Sequence, residues 1–213
     1  MAGLKFITKH ECANSTTQYI RFTSLNVSGY SWLRIFISGR GTNFKSLVDF
    51  SKKKYSPINI KLLITDNKKA KGIIFAKKNN IKFKSFSYKT RQRSELKILK
   101  ELKKNKIKFI MLAGFMKILS KRFISKFKGK IVNIHPSLLP KYKGLHTHKK
   151  VLINKDKFSG CTVHFVSEKL DSGKIILQKR VKVLNNDNVK KLEKRILKIE
   201  NKIYPLAIKK IFN

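Results

Sequence analysis

Along the chain, short apolar runs alternate with longer segments in which apolar residues recur at helical spacing. The alternation begins near residue 33 and is the pattern of successive β-α-β units. Strands are predicted at residues 33–37, 58–64, 81–86, 107–112 and 130–134, and helices at residues 44–50, 72–78 and 95–105. Such units build a parallel sheet covered by helices, so the pattern predicts an α/β fold with a mostly parallel, twisted sheet and helices on both faces.

The last third of the chain has a different pattern. Strands are predicted at residues 160–166 and 174–183, and the link between them is too short for a parallel crossover, so this pair is expected to be antiparallel. A closing helix is predicted from about residue 189 onward. Its apolar face comprises Leu192, Ile196, Ile199 and Ile203. Pro205 is expected to kink or end this helix.

Residues 1–32 are polar and lack periodic apolar positions, so we expect a flexible extension that contributes nothing to the core. Residues 33–213 contain neither an internal repeat nor a linker rich in proline and glycine, which predicts a single domain. The longest apolar run, residues 109–116, is too short to cross a bilayer, and no apolar stretch of signal-peptide length opens the chain. We therefore expect neither membrane insertion nor secretion. An organelle transit peptide stays open as an alternative, because residues 1–32 contain several Ser and Thr and only one acid, Glu11.

The charge of the chain is extreme, with 51 Lys and Arg against 11 Asp and Glu and a net charge of +40. Such a charge is typical of nucleic-acid-binding proteins. However, the basic residues are spread over the whole chain, and no aromatic RNA-binding signature or zinc-finger spacing accompanies them. Lys, Asn and Ile recur together, as A/T-rich codons would produce. We attribute most of the charge to compositional drift on solvated faces and expect no specific nucleic-acid partner, although some benefit for binding anionic substrates is compatible with it.

The glycine-containing segment at residues 38–43, SGRGTN, lies between the first predicted strand and helix. Small residues at this place let backbone N–H groups approach a phosphate, and the helix dipole favours the negative charge. The segment is neither a P-loop nor a complete dinucleotide-binding fingerprint. From this motif alone, a tight strand-to-helix turn is an equally good interpretation.

A second motif, NIHPSLLP at residues 133–140, follows a predicted parallel strand at its carboxyl end, where open α/β sheets bind ligands. Asn133 and His135 are two residues apart, so their side chains emerge on the same side of an extended segment. An amide donor can bind a developing oxyanion while an imidazole moves a proton, which suits acyl transfer. A structural role for His135 remains the alternative interpretation, as does an Asx turn for Asp171, which lies in the turn between the antiparallel strands.

Cysteine and histidine spacing predicts no metal site. Cys12 and Cys161 lack the paired spacing of a zinc site or a disulfide framework, and a reducing cytoplasm is the expected location. His146 and His148 resemble a metal-binding pair, but no third ligand lies nearby in the sequence. His164 lies on a predicted strand, on the face opposite Cys161.

Six motifs occur in a characteristic order along the chain: ISGRGTN, LAGFMKILS, NIHPSLLPKYKGLHTH, GCTVHFV, LDSGKIILQ and IYPLAI. With them the chain resembles the glycinamide ribonucleotide formyltransferases of purine synthesis, from about residue 33 to residue 212. The related methionyl-tRNA formyltransferases share an HPSLLP-like loop but carry a second, C-terminal domain. Formyltetrahydrofolate deformylases carry an N-terminal regulatory domain, which 32 polar residues are not expected to form. The resemblance implies a Rossmann-like formyltransferase fold.

The resemblance also implies a reaction: the formyl group of the co-substrate 10-formyltetrahydrofolate passes to the amine of glycinamide ribonucleotide, without a metal. The residues that match the family's catalytic positions are Asn133, His135 and Asp171. The positions that bind the ribonucleotide are matched by Gly41, Thr42, Asn43 and Glu200. The folate contacts are matched by Arg91, Met116, Lys117, Ile118, Leu119 and Asn133. Lys117 departs from the family pattern, which has arginine there.

Within this resemblance, Asn133 would stabilise the oxygen of a tetrahedral intermediate, His135 would shuttle protons, and Asp171 would orient the imidazole. Two of the few acidic residues, Asp171 and Glu200, fall at motif positions, although a drifting composition would readily have replaced either one. Two alternative functions stay open: an N-formyltransferase acting on another amine, such as an amino sugar, and a basic nucleic-acid-binding protein on a decayed enzyme scaffold. The GRGTN segment and Glu200 favour the ribonucleotide.

Overall fold

The computed structural model describes residues 31–212; the predicted extension, residues 1–32, lies almost entirely outside the described residues. The strands are β1 (Ser31–Ile37), β2 (Ile58–Thr65), β3 (Lys82–Ser85), β4 (Phe109–Leu112), β5 (Lys130–His135), β6 (Phe158–Phe165) and β7 (Ile175–Lys182). The helices are α1 (Thr42–Ser51), α2 (Lys71–Lys78), α3 (Arg91–Lys104), α4 (Lys121–Lys126), α5 (Thr147–Ile153) and α6 (Val189–Phe212).

The strands form one sheet in the order β3-β2-β1-β4-β5-β6-β7. Strands β1 to β5 pair in parallel, and β6 is antiparallel to both β5 and β7. The predicted parallel sheet and the predicted antiparallel pair are both confirmed. The strand order reverses between β1 and β4, so the loops that leave their carboxyl ends diverge and open a crevice at this edge.

Helices cover both faces of the sheet, as predicted, and each face has its own apolar core. On one face, Ile35 and Ile37 of β1 pack with residues of α1, α2 and α6. On the other face, Phe36 of β1 packs with residues of α3 and α4. Neighbouring residues of a strand point to opposite faces, so a sheet buried on both sides needs apolar residues without alternation.

Several element boundaries differ from the sequence-based predictions. Helix α3 begins at Arg91, four residues before the predicted start, because its first turn is polar and carries no apolar periodicity. Helices α4 and α5 were not predicted, since they are too short for a periodic pattern to emerge. Helix α4 is marked instead by its N-cap, where the hydroxyl oxygen of Ser120 accepts a hydrogen bond from the backbone N–H of Phe123.

The closing helix α6 does not end at Pro205 but continues to Phe212. Proline removes one backbone donor from the helix interior. Beyond it, Ala207 and Ile208 are fully buried against the sheet, and this burial holds the last turns in place. One residue before Pro205, the buried hydroxyl of Tyr204 donates to backbone carbonyls of β4 and β5. None of the helices described is long and apolar enough to cross a lipid bilayer.

Candidate active site

The loops that follow β1, β4 and β5 meet at the carboxyl edge of the sheet. The backbone N–H of Ser38 donates to the carbonyl of Gly114 at 3.1 Å, and the N–H of Met116 donates to the Ser38 hydroxyl at 2.8 Å. Strand β5 lies directly beside β4. The GRGTN segment, the segment at residues 116–119 and the pair Asn133 and His135 therefore lie at the same edge of the sheet.

The GRGTN segment forms the N-terminal end of α1. Gly41 is the N-cap residue with φ of 73°, and a side chain at this position would meet the backbone of Gly72 at 3.0 Å. The first turn of α1 has no side-chain cap and no acidic residue. Its backbone N–H groups, including those of Thr42 and Asn43, lack acceptors within the helix. This end of the helix can therefore take an anion.

Asn43 and Glu200 lie far apart in the sequence but touch in the structure. The amide Nδ2 of Asn43 donates to Oε2 of Glu200 at 2.8 Å across 157 positions of the chain. Their relative exposures are 5% and 6%. Burial raises the pKa of Glu200 to about 7, and Glu193 acts in the same direction, while the bond from Asn43 opposes the rise. Two residues matched to ribonucleotide binding are thus joined beside the start of α1.

The register of the sheet places Asn133 opposite His164. Nδ1 of His164 lies 2.8 Å from the carbonyl oxygen of Phe165, and because a carbonyl only accepts, Nδ1 carries the proton. Burial lowers the pKa of His164, which favours the neutral ring. Its Nε2 is then an acceptor for the Asn133 amide at 3.3 Å, so His164 orients Asn133.

His135 and Asp171 face each other in the same buried place. Nε2 of His135 donates to the carbonyl of Tyr142 at 2.9 Å, and its Nδ1 lies 3.4 Å from Oδ2 of Asp171. The same carboxylate oxygen accepts from the backbone N–H of Gly144 at 2.9 Å, while Oδ1 lies 3.7 Å from Nε2 of His164. The Asp171 carboxylate therefore contacts residues across the site. The Asx-turn alternative required this carboxylate to accept a hydrogen bond from its own turn instead.

The residues matched to folate binding lie along the same edge but are mostly exposed. Met116 and Ile118 are 70% and 62% exposed, whereas Leu119 is buried. Lys117 places its ammonium 3.7 Å from a carboxylate oxygen of Asp66. Arg91, the first residue of α3, is also exposed.

Helix α3 is tied to the end of this exposed segment by a buried acid. Glu95, one turn into α3, is 4% exposed and accepts hydrogen bonds from the backbone N–H and the hydroxyl of Ser120. The N-terminus of α3, where Arg91 lies, is thereby held beside the segment at residues 116–119. Sequence reasoning missed Glu95, although an acidic residue at an apolar-spaced helical position of so basic a chain was a usable signal.

His164 is the other residue that sequence reasoning assigned no role. Its place on the predicted strand was correct, but its contact with Asn133 depends on the pairing of β5 with β6, which no local pattern encodes. His146 and His148, which resemble a metal-binding pair in the sequence, gain no third ligand among the described residues. Within residues 31–212, no three His, Cys, Asp or Glu side chains are grouped so that they could hold a metal ion.

Known proteins share the sequence pattern of this chain. A family model described as formyl transferase matches residues 33–208. The chain is 38% identical over 180 residues to the phosphoribosylglycinamide formyltransferase of Haemophilus influenzae, and the match covers 83% of this chain and 85% of that protein. It is also 41% identical over 180 residues to the trifunctional purine biosynthetic protein adenosine-3 of Chironomus tentans, where the match covers 82% of this chain but spans only 13% of that protein.

The fold has close counterparts among solved structures. The crystal structure of phosphoribosylglycinamide formyltransferase from Brucella melitensis superimposes with a TM-score of 0.81 at 39% sequence identity. The superposition covers 86% of this chain and 96% of that one. Sequence and architecture therefore agree over nearly all of the described residues.

Proposed function

The chain belongs to the formyl transferase family, and we propose that it transfers the formyl group of 10-formyltetrahydrofolate to the amine of glycinamide ribonucleotide. The products are formylglycinamide ribonucleotide and tetrahydrofolate, which makes the reaction a step of de novo purine biosynthesis. Relatives named phosphoribosylglycinamide formyltransferase, matched over most of their own length, support the assignment.

One observation carries the proposal: the side chains of Asn133, His135 and Asp171 converge at the edge of the sheet that also holds the anion-accepting end of α1. Acyl transfer to the amine of a phosphorylated acceptor needs these two features side by side. A donor and a proton carrier act on the formyl carbon. A helix N-terminus holds the phosphate at a distance from the reacting amine.

In the proposed reaction, the acceptor nitrogen attacks the formyl carbon and a tetrahedral intermediate forms. Asn133 stabilises its oxygen: one N–H of the amide is directed at His164, which leaves the second N–H as the donor. The bond from the formyl carbon to N10 of the folate then breaks. Over the whole step, one proton leaves the amine and one arrives at N10.

We assign this proton transfer to His135. Since Nε2 donates to the Tyr142 carbonyl, Nδ1 is the nitrogen that accepts and returns the proton. Asp171 faces Nδ1, and once Nδ1 is protonated the carboxylate accepts its N–H, which fixes the ring orientation and stabilises the imidazolium. Hydrogen bonds polarise the formyl carbonyl in this mechanism, and no metal ion is assigned a role.

The two substrates occupy the two halves of the crevice. Gly41, Thr42 and Asn43 hold the phosphate through backbone N–H groups at the start of α1, and Glu200 supplies a further contact to the ribonucleotide. For the folate, the exposed apolar surface of residues 116–119 contacts its ring system, and Arg91 attracts its carboxylates. We also propose a cytoplasmic location, in keeping with the unpaired thiol of Cys161.

Purified protein incubated with 10-formyltetrahydrofolate and glycinamide ribonucleotide should produce tetrahydrofolate and formylglycinamide ribonucleotide in equal amounts. The same mixture without the ribonucleotide should produce neither, which separates transfer from hydrolysis. A parallel reaction with an amino-sugar nucleotide tests the alternative acceptor. Transfer to the amino sugar, with none to glycinamide ribonucleotide, would contradict the proposal.

A further inference from the structure

We propose that Arg40 contacts the phosphate of the substrate, and that its guanidinium pairs with Glu193 when no phosphate is bound. The inference rests on the proposed function and extends it by one side chain. Arg40 lies inside the GRGTN segment, next to the Gly41 cap of α1. Arg40 is two residues from Thr42, whose backbone N–H is among those proposed to donate to the phosphate.

The geometry points to an exchangeable partner. Nη2 of Arg40 donates to Oε1 of Glu193 at 3.0 Å. The side chains are 67% and 45% exposed, so both are in contact with solvent. Glu193 lies two turns before Glu200 on the same face of α6, and Glu200 binds Asn43. Helix α6 thus contacts the GRGTN segment through two acids, of which Glu200 is buried and Glu193 is exposed.

The energetics favour an exchange. An exposed ion pair of this kind stabilises a protein by only about 0–1 kcal/mol, so breaking it is easy. A phosphate offers a larger negative charge and two oxygens that match the fork of the guanidinium. Without Arg40, the carboxylate of Glu193 would stand uncompensated beside the place of the phosphate and would repel it.

The cationic side chain on the first turn of α1 does not take this role. Lys45 places its ammonium 6.0 Å from the ring centre of Phe75, at the interface of α1 with α2. The α1 helix otherwise offers backbone N–H groups, which position a phosphate but cannot neutralise it. A nearby arginine supplies the missing charge.

Steady-state kinetics of Arg40→Ala, Arg40→Lys and Glu193→Gln test the inference. Arg40→Ala should raise KM for glycinamide ribonucleotide about tenfold, as expected for loss of one charge-assisted contact, with kcat and KM for the folate unchanged. Arg40→Lys should lie between that variant and the wild type, because a lysine keeps the charge but loses the fork. Glu193→Gln should lower KM about twofold, since the competitor for Arg40 is gone.

The matched control is Arg180→Ala, an exposed arginine on β7 that stacks on Phe158, and its KM values should equal those of the wild type. If Arg40 and Glu193 form only a structural pair, both single variants break it and both should raise KM. That result, or a normal KM for Arg40→Ala, would overturn the inference while leaving the function intact. A wild-type protein that forms no formylglycinamide ribonucleotide would instead overturn the proposed function.

Discussion

The proposed ribonucleotide side and the proposed folate side of the crevice are built in opposite ways. On the ribonucleotide side, His135, Asp171 and Glu200 are nearly buried, and each is fixed through side-chain contacts to distant parts of the chain. On the folate side, Met116 and Ile118 are exposed, and the segment is held by its backbone and by its buried ends. Under the proposed function, chemistry depends on individual side chains in the first region, whereas the shape of the surface and the course of the backbone matter in the second.

This difference explains why the departure at Lys117 is compatible with the family pattern. A side chain that points into solvent and pairs with Asp66 can change from arginine to lysine while the backbone keeps its course. No such freedom exists around Asp171, whose two oxygens face a backbone N–H and two imidazoles. Substitutions on the two sides should therefore have very different effects.

The largest effect should come from Asp171→Asn, which keeps the shape of the side chain and removes its charge. Without the carboxylate, His135 loses its orientation, and kcat should fall by about 10² to 10⁴-fold, the usual contribution of general acid–base catalysis. His135→Ala should be at least as damaging. The double variant should be little worse than either single variant, because the two residues act as a unit.

The control for this comparison is Asp49→Asn, the same change at an exposed position of α1, which should leave kcat unchanged. Circular dichroism should show that all variants are folded. A folded Asp171→Asn protein with near-normal turnover would remove Asp171 from the mechanism and would end the contrast between the two sides.

A second prediction concerns stability and pH. Because the pKa of Glu200 is raised to about 7 from an ordinary 4.5, the folded state favours the protonated carboxyl. The stability associated with this group is fully present below about pH 4.5 and is lost as pH rises through about 7. Glu200→Gln does not titrate, so the free energy of unfolding of the wild type relative to this variant should fall by up to about 3 kcal/mol across that window.

Urea unfolding of both proteins at about pH 5 and about pH 8 measures this difference. Glu168→Gln, the same change at an exposed glutamate, is the control and should leave the pH profile of stability unaltered. If the free energies of unfolding of the wild type and of Glu200→Gln differ by the same amount at both pH values, burial does not raise the pKa of Glu200. The ribonucleotide side would then be less different from the folate side than its exposure suggests.

A smaller effect is expected at His164, which contacts Asn133, the proposed donor to the oxygen of the intermediate. His164→Asn keeps a donor for the Phe165 carbonyl but loses the acceptor for Asn133, and kcat should fall about tenfold with both KM values retained. His164→Gln places an amide oxygen near the former Nε2 and should recover part of the loss. Equal kcat values for the two variants would show that the contact between His164 and Asn133 does not position the amide.

The smallest effect should be seen at Lys117. Lys117→Met removes the ammonium and its 3.7 Å contact with Asp66, whose side chain is 8% exposed. KM for the folate should change by less than about twofold, because the proposed contact at this position is made by the backbone. Leu119→Ala is the contrasting variant, because it empties a buried position at the end of the same segment and should raise that KM and lower the unfolding temperature. A large effect of Lys117→Met alone would show that the folate side also depends on a specific side chain.

Local patterns were sufficient for much of this architecture. The alternation of apolar runs and amphipathic segments predicted the parallel strands β1 to β5, and the short link after β6 predicted the antiparallel pair. The spacing of Asn133 and His135 placed both at the carboxyl end of β5. By contrast, the short helices α4 and α5 escaped prediction, and so did the continuation of α6 beyond Pro205.

Sequence alone therefore determined the fold class, the order of the elements and the motifs that carry chemistry, because strand and helix periodicity are properties of a few adjacent residues. The tertiary structure decided which of those motifs meet. Asn43 binds Glu200 across 157 positions, and Asn133 meets His164 across 31. The first contact depends on the packing of α1 against α6, and the second depends on the register of β5 with β6. In that strand pair, a shift of one residue would turn Asn133 to the other face of the sheet.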